Sequence, residues 1–290
     1  MQTRPHRNMP RELSMGLFAN INTLIIDMDG VLWHGDQPLP GLLEFFQTLR
    51  ERQIRFILAT NNASQTAEQY VNKLARMGVA VDSGEILTSA MATALYLAQR
   101  TDAASTRVFV IGEKGATEPL LQQGFTLTGL YEVDSPAGNG AKVGADYVVC
   151  GMDRELTWHK LATAALNINA GAKFIGTNPD TSLPTELGFT HGNGAILAAL
   201  QAATGIAPTI IGKPEPLMYQ QALALLGVAP SETMAIGDRL ETDILGAVRA
   251  GISSLMVLTG VSSEGDLETS DYQPDWVLPD IRAITEALRA

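Results

Sequence analysis

Four short apolar runs in this 290-residue chain each end in polar residues suited to chemistry. Leu24-Ile25-Ile26 runs into Asp27-Met28-Asp29-Gly30, and Phe56-Ile57-Leu58-Ala59 into Thr60-Asn61-Asn62. Thr209-Ile210-Ile211-Gly212 runs into Lys213-Pro214, and Met234-Ala235-Ile236-Gly237 into Asp238, with Asp243 five residues on. Brought together, the carboxylates of Asp27, Asp29 and Asp238 would repel one another, and a cation would relieve that repulsion. Hard oxygen donors without His or Cys favour Mg²⁺ over zinc. Lys213 adds a fixed positive charge, Thr60 a hydroxyl, and the turn at Thr60-Asn61 backbone N–H groups. Such a set neutralises a phosphoryl group whose charge spreads over three oxygens. A carboxylate can then serve as nucleophile. A second carboxyl two residues away can protonate a leaving oxygen and later deprotonate a water.

The elements that would position these residues alternate along the chain. Strands are expected at 24–26, 56–58, 108–110, 147–149, 173–175, 209–211, 234–236 and 255–257. These runs are apolar throughout, as strands covered on both faces are. Helical patterns lie between them, at 41–52, 65–77, 89–99, 115–123, 157–170, 193–204, 216–227 and 240–250. Gly78, Gly227 and Gly251 stand where helices end. The alternation predicts an α/β fold, a doubly wound parallel sheet of Rossmann-like type built from right-handed crossovers. In such a sheet ligands bind beyond the carboxyl ends of the strands. If the four strands are parallel neighbours, their polar ends share one crevice.

Composition narrows the function classes. A formal net charge of -11 argues against a nucleic-acid polymer as partner. No apolar run approaches the roughly 18–20 residues that span a bilayer, so no membrane is expected. The first residues hold Arg4, Arg7 and Arg11 but no continuous apolar segment, and residues 1–18 read as a mobile tail. The single cysteine, Cys150, follows an apolar run and reads as a buried, inert thiol in a cytoplasmic, reducing setting.

The segment Asp27-Met28-Asp29-Gly30-Val31-Leu32 resembles the first motif of the haloacid dehalogenase superfamily. Thr60-Asn61-Asn62, Lys213-Pro214 and Gly237-Asp238 through Asp243-Ile244 resemble its second, third and fourth, in order. The stretches Asp29–Gly41, Thr88–Ala94, Gly176–Asp180 and Thr259–Ser263 are similar to the NagD and 4-nitrophenylphosphatase branch. The resemblance covers residues 21 to about 288; each motif alone is weak, and four in order are specific.

The resemblance implies roles by position. Asp27 would attack phosphorus and ligate Mg²⁺. Asp29 would be the acid/base and ligate Mg²⁺ through its backbone carbonyl. Thr60 and Asn61 would hold phosphoryl oxygens, Lys213 would orient Asp27 and stabilise charge, and Asp238 would complete the metal site. Asp243 would support rather than ligate. The long interval between Asn62 and Lys213 would hold an inserted α/β cap over 86–188. The core domain would then be 19–85 with 189–290. A homodimer through the cap is also implied. The cap would exclude water and select the leaving group.

The implied activity is Mg²⁺-dependent hydrolysis of a small phosphate ester, such as a nucleotide, a sugar phosphate or phosphoglycolate. A phosphotransferase or mutase would use the same intermediate, and a non-catalytic phospho-ligand module the same crevice. A dinucleotide-dependent oxidoreductase is disfavoured, since no G-x-G-x-x-G follows the first strand. Gly151 to Glu155 follows a strand and could face substrate. His34 and His191 read as surface or packing residues, Trp33 as packing, and Gly112-Glu113-Lys114-Gly115 as a strand-to-helix turn.

Overall fold

Both faces of the strand Thr23–Ile26 are buried. Leu24 and Ile26 pack into one apolar cluster with Phe45, Leu49 and Ile284, and Ile25 into another with Leu87 and Ala235. Cover on both sides suits the apolar run Leu24–Ile26, with the Thr23 hydroxyl buried at the start of the strand. The computed structural model describes residues 18–134, 142–185 and 187–290. All of the tail expected over 1–18 except Phe18 lies outside them.

The first sheet has six parallel strands in the order Trp276–Leu278, Ser253–Val257, Thr233–Gly237, Thr23–Ile26, Arg55–Thr60, Ile86–Thr88. A second sheet has five, in the order Thr209–Ile210, Lys173–Gly176, Tyr147–Cys150, Arg107–Ile111, Thr126–Leu127, also parallel. One apolar cluster joins Ile25 and Ile57 of the first sheet to Val108, Val149 and Ile175 of the second. Truncating Ile25 to Ala would remove contacts from that shared layer, at a cost of about 2–5 kcal/mol. The fold is thus the expected α/β class with parallel sheets.

One sequence expectation meets a correction here. Only three of the four motif-bearing strands are neighbours in one sheet. Thr209–Ile210 pairs with Lys173–Gly176 in the second sheet, so Lys213 reaches the crevice from another direction. Sheet membership also crosses both expected domain joins. Ile86–Thr88 extends the first sheet, through Leu58↔Ile86 and Thr60↔Thr88, and Thr209–Ile210 extends the second. An apolar run carries no mark of which strand edge it will pair with; that depends on backbone groups distant in the chain.

Helix ends follow local chemistry. Thr66 and Gln69 form a capping box: Gln69 N–H donates to Thr66 Oγ1 at 3.2 Å and Thr66 N–H to Gln69 Oε1 at 2.8 Å. Pro216 opens the helix Pro216–Leu226, where its missing N–H costs nothing. The expected helix 240–250 begins as a π-turn, Leu240–Ile244, and becomes α-helical over Leu245–Ala250. The sequence patterns missed the short strands Ile86–Thr88 and Trp276–Leu278, the helix Ile281–Arg289, and the hairpins Trp33–His34/Gln37–Pro38 and Ser182–Thr185/Gly188–His191. Among the described residues no helix is long and apolar enough to cross a membrane.

Candidate active site

The strand order of the first sheet reverses beside Thr23–Ile26, with Arg55–Thr60 on one side and Thr233–Gly237 on the other. Open parallel sheets bind ligands in the crevice at such a switch point. Asp27 leaves the first of these strands, its N–H donating to Ile236 O at 2.8 Å. Asp238 leaves its neighbour directly alongside, because Ile26 pairs with Ile236. Thr60 ends the strand on the other side and is buried.

Lys213 ties these ends together. Its ammonium donates to an Asp27 oxygen, to Asp243 Oδ1 at 2.6 Å and to Ala59 O at 3.1 Å. The side chain is only 3% exposed. Burial opposes its charge, and Asp243 and Asp27 overcome that penalty, so its pKa stands above the ordinary lysine value. The Lys213 ammonium is therefore a fixed cation.

The carboxylates experience the converse. Burial pushes Asp27 well above the usual carboxylate range; Lys213 opposes the rise, and repulsion from Asp243 and Asp238 adds to it. Burial, followed by repulsion from Asp243, pushes Asp238 up to about 6, against the Val261 N–H bonded to its Oδ2 at 2.7 Å. Asp243 has both oxygens engaged, Oδ1 by Lys213 and Oδ2 by Arg239 N–H at 3.1 Å. The π-turn permits this arrangement, since Asp243 N–H and Ile244 N–H both donate to Arg239 O and the turn folds back on itself.

Oxygens of Asp27, Asp238 and Asp243 lie within 4.8 Å of one another. One ammonium faces three carboxylates, so the cluster is short of positive charge. Its donors are all oxygen, with no His or Cys among them. A small hard dication such as Mg²⁺ answers both conditions.

Thr60 Oγ1 accepts from Asn62 N–H at 3.1 Å, which leaves the hydroxyl proton to donate elsewhere. Asn61 is held from three sides. Its amide Nδ2 donates to Lys213 O at 2.8 Å, and its backbone carbonyl accepts from Ser89 Oγ at 2.6 Å and Asn178 Nδ2 at 2.7 Å. Gly30 closes the wall opposite, at φ +85°; a Cβ there would lie 2.6 Å from Asp238 Oδ2.

The chain matches two family models at the segments that build this crevice. One is described as haloacid dehalogenase-like hydrolase, over residues 24–126, and the other is HAD-hydrolase-like, over 210–284. An acid sugar phosphatase of Staphylococcus saprophyticus is 34% identical over 269 residues, covering 93% of this chain and 98% of that protein. The 5'-nucleotidase YutF of Bacillus subtilis is 38% identical over 250 residues, covering 86% of this chain and 92% of its own. This chain belongs to the haloacid dehalogenase superfamily. Among solved structures, a 4-nitrophenylphosphatase of Thermotoga maritima matches with a TM-score of 0.83 and 35% identity, over 93% of this chain and 98% of that one. NagD of E. coli K-12 matches with a TM-score of 0.80 and 34% identity, over 90% and 97%. The protein is a phosphatase of that branch.

Within this haloacid dehalogenase fold, Asp27, Lys213, Asp238 and Asp243 converge, with Thr60 and Asn61 at the adjoining strand end. Asp29 stands apart from the carboxylate cluster: its Oδ1 accepts from Trp33 Nε1 at 2.7 Å. Sequence reasoning took Trp33 for packing and missed this bond; an indole four residues from an Asp-x-Asp pair was the available signal. It also missed Asp180, whose carboxyl lies 3.4 Å from Asn61 Nδ2 and is raised by burial, with Arg239 opposing.

Other singled-out residues fall elsewhere. Asp153 is buried and bonded to Lys160 at 2.8 Å, and Arg154 to Glu113 at 2.7 Å, which ties the 151–155 segment to its own surroundings. His34 and His191 are exposed on the two hairpins. Gly112 and Glu113 form the turn between Arg107–Ile111 and the helix Lys114–Gln122, which begins with Lys114 and Gly115. Gly115 N–H donates to Ser64 O at 3.2 Å, so this turn rests on the loop after Asn61. Cys150 is fully buried beside Asn193, and burial pushes its thiol up.

Proposed function

We propose that this protein is a Mg²⁺-dependent phosphomonoesterase that hydrolyses a small phosphorylated metabolite through a phosphorylated Asp27. The observation that carries this reading is the Lys213 ammonium held between Asp27 and Asp243, at a switch point where Asp238 adds a third carboxylate. A non-catalytic binder of phosphate would gain nothing from buried acids that repel its ligand.

Asp27, Asp238 and the backbone carbonyl of Asp29 would hold Mg²⁺, with Asp243 supporting through Lys213. When bound, the ion offsets the negative charge of the carboxylates and of the phosphoryl group. The Thr60 hydroxyl and the backbone N–H groups of the Thr60-Asn61 turn receive the phosphoryl oxygens. The Asn61 side-chain amide stays with Lys213 O and fixes the turn. Asp27 attacks phosphorus, and the ester P–O bond breaks as Asp29 gives its proton to the leaving oxygen. Asp29 then takes a proton from water. The resulting hydroxide attacks phosphorus, phosphate leaves, and Asp27 is regenerated.

The second sheet and its helices act as a cap over the crevice, limiting water and choosing the leaving group. Relatives named acid sugar phosphatase and 5'-nucleotidase support a sugar phosphate or nucleoside monophosphate as substrate class. The single, buried cysteine supports a reducing cytoplasmic setting. A homodimer through the cap is part of this proposal.

The test is phosphate release from 4-nitrophenyl phosphate and a metabolite panel, with Mg²⁺ and with chelator. Turnover is expected with Mg²⁺, and none in Asp27→Asn. An Asp27→Asn protein as fast as the parent would overturn the assignment of the nucleophile.

A further inference from the structure

Among the described residues Trp33 is the largest wholly buried side chain, and its one polar atom meets Asp29. Its ring stacks on Tyr70, with centroids 6.4 Å apart and planes 20° from parallel. The Lys73 ammonium sits 4.4 Å from the ring centroid. The backbone returns the ring to Asp29: Leu32 N–H donates to Met28 O and Gly30 N–H to Trp33 O, each at 2.8 Å. Asp29 itself is exposed. A hydrogen bond at 2.7 Å thus ties an exposed carboxyl to a fully buried ring.

We propose that Trp33 is a positioning residue for Asp29: its indole N–H holds Oδ1, so that Oδ2 is the oxygen presented to the leaving group. The inference rests on the Asp29 role given above. An untethered Asp samples several rotamers, and proton transfer needs the carboxyl within hydrogen-bond reach of the leaving oxygen. An indole nitrogen only donates. With Oδ1 occupied by that donor, the other carboxyl oxygen is the one free to carry a proton. Tyr70 strengthens the case for a fixed wall. It is 1% exposed and stacks on Trp33, and its buried hydroxyl lies beside Thr60.

A buried Trp N–H commonly finds some partner, so the experiment must separate positioning from packing. Leaving groups do this. A phenolate such as 4-nitrophenolate departs with little help from an acid, whereas an alkoxide needs the proton. kcat/KM is measured for 4-nitrophenyl phosphate and for an alkyl phosphate, glycerol phosphate, with the parent, Trp33→Phe, Asp29→Asn and the double variant. Benzothienylalanine at position 33 keeps the ring and replaces the N–H by sulfur, which covers the case in which Trp33→Phe fails to fold. The expected result is a fall of about tenfold or more in the ratio of alkyl to nitrophenyl rates. The same change in the Asp29→Asn background should have no further effect on that ratio. Equal losses on both substrates, or a loss that persists without the Asp29 carboxyl, would show that Trp33 acts through packing. Asp27→Asn on the same panel reports separately on the nucleophile.

Discussion

Lys213→Met keeps the chain length and removes the charge. The parent ammonium is 3% exposed, and its partners Asp27 and Asp243 are 12% and 3% exposed. Removing one partner of a buried ion pair costs about 3–5 kcal/mol. Here two carboxylates lose the same cation, with Asp238 as a third charge nearby, which places the variant at the upper end. Proton uptake caps the loss. Burial already holds Asp27 above the usual carboxylate range, and burial with Asp243 holds Asp238 up to about 6. Without the ammonium these values rise further. A carboxyl with a folded pKa above its unfolded one takes up a proton on folding, so stability grows as pH falls through the folded value. The deficit of the variant should thus be greatest at alkaline pH and shrink as pH falls toward about 6, by up to about 1.4 kcal/mol per pH unit for each proton bound. Urea denaturation of parent and variant without Mg²⁺, at a series of pH values, measures this directly. Phosphate release should fall by about 10²–10³ in the same variant. A deficit below about 1 kcal/mol at the alkaline end, or one that widens with acid, would refute the account of Lys213 as the charge that holds these carboxylates together.

Gly30→Ala forces a Cβ into backbone at φ +85° and to 2.6 Å from Asp238 Oδ2. A loss of about 1–3 kcal/mol is expected in urea denaturation, together with weaker Mg²⁺ stabilisation; unchanged stability would mean that the loop yields freely. Mg²⁺ should raise the melting temperature more at about pH 7.5 than at about pH 5.5, because Asp238 must give up its proton to bind the ion. Equal shifts at both pH values, read by calorimetry, would count against Asp238 as a ligand.

The chemistry of this crevice was legible in the sequence because it sits where local patterns change. An apolar run that stops at Asp27, Thr60 or Asp238 marks a strand end, since burial on both faces disfavours charged residues until the strand emerges, although hydroxyl residues such as Thr23, Thr60 and Thr233 are buried within the strands. Helix limits at Thr66, Pro216, Gly227 and Gly251 were equally local, set by capping groups within a few residues. Tertiary structure alone decided that Thr209–Ile210 joins the second sheet, that the Asn61 amide turns to Lys213 O, and that both oxygens of Asp243 are engaged. It also decided that Asp29 pairs with Trp33 and not with the other acids. The physical reason is one of range. Periodicity and capping are recorded by neighbours in the chain, whereas the partner of a strand edge, an amide or a carboxylate is whichever group the folded backbone brings within about 3 Å.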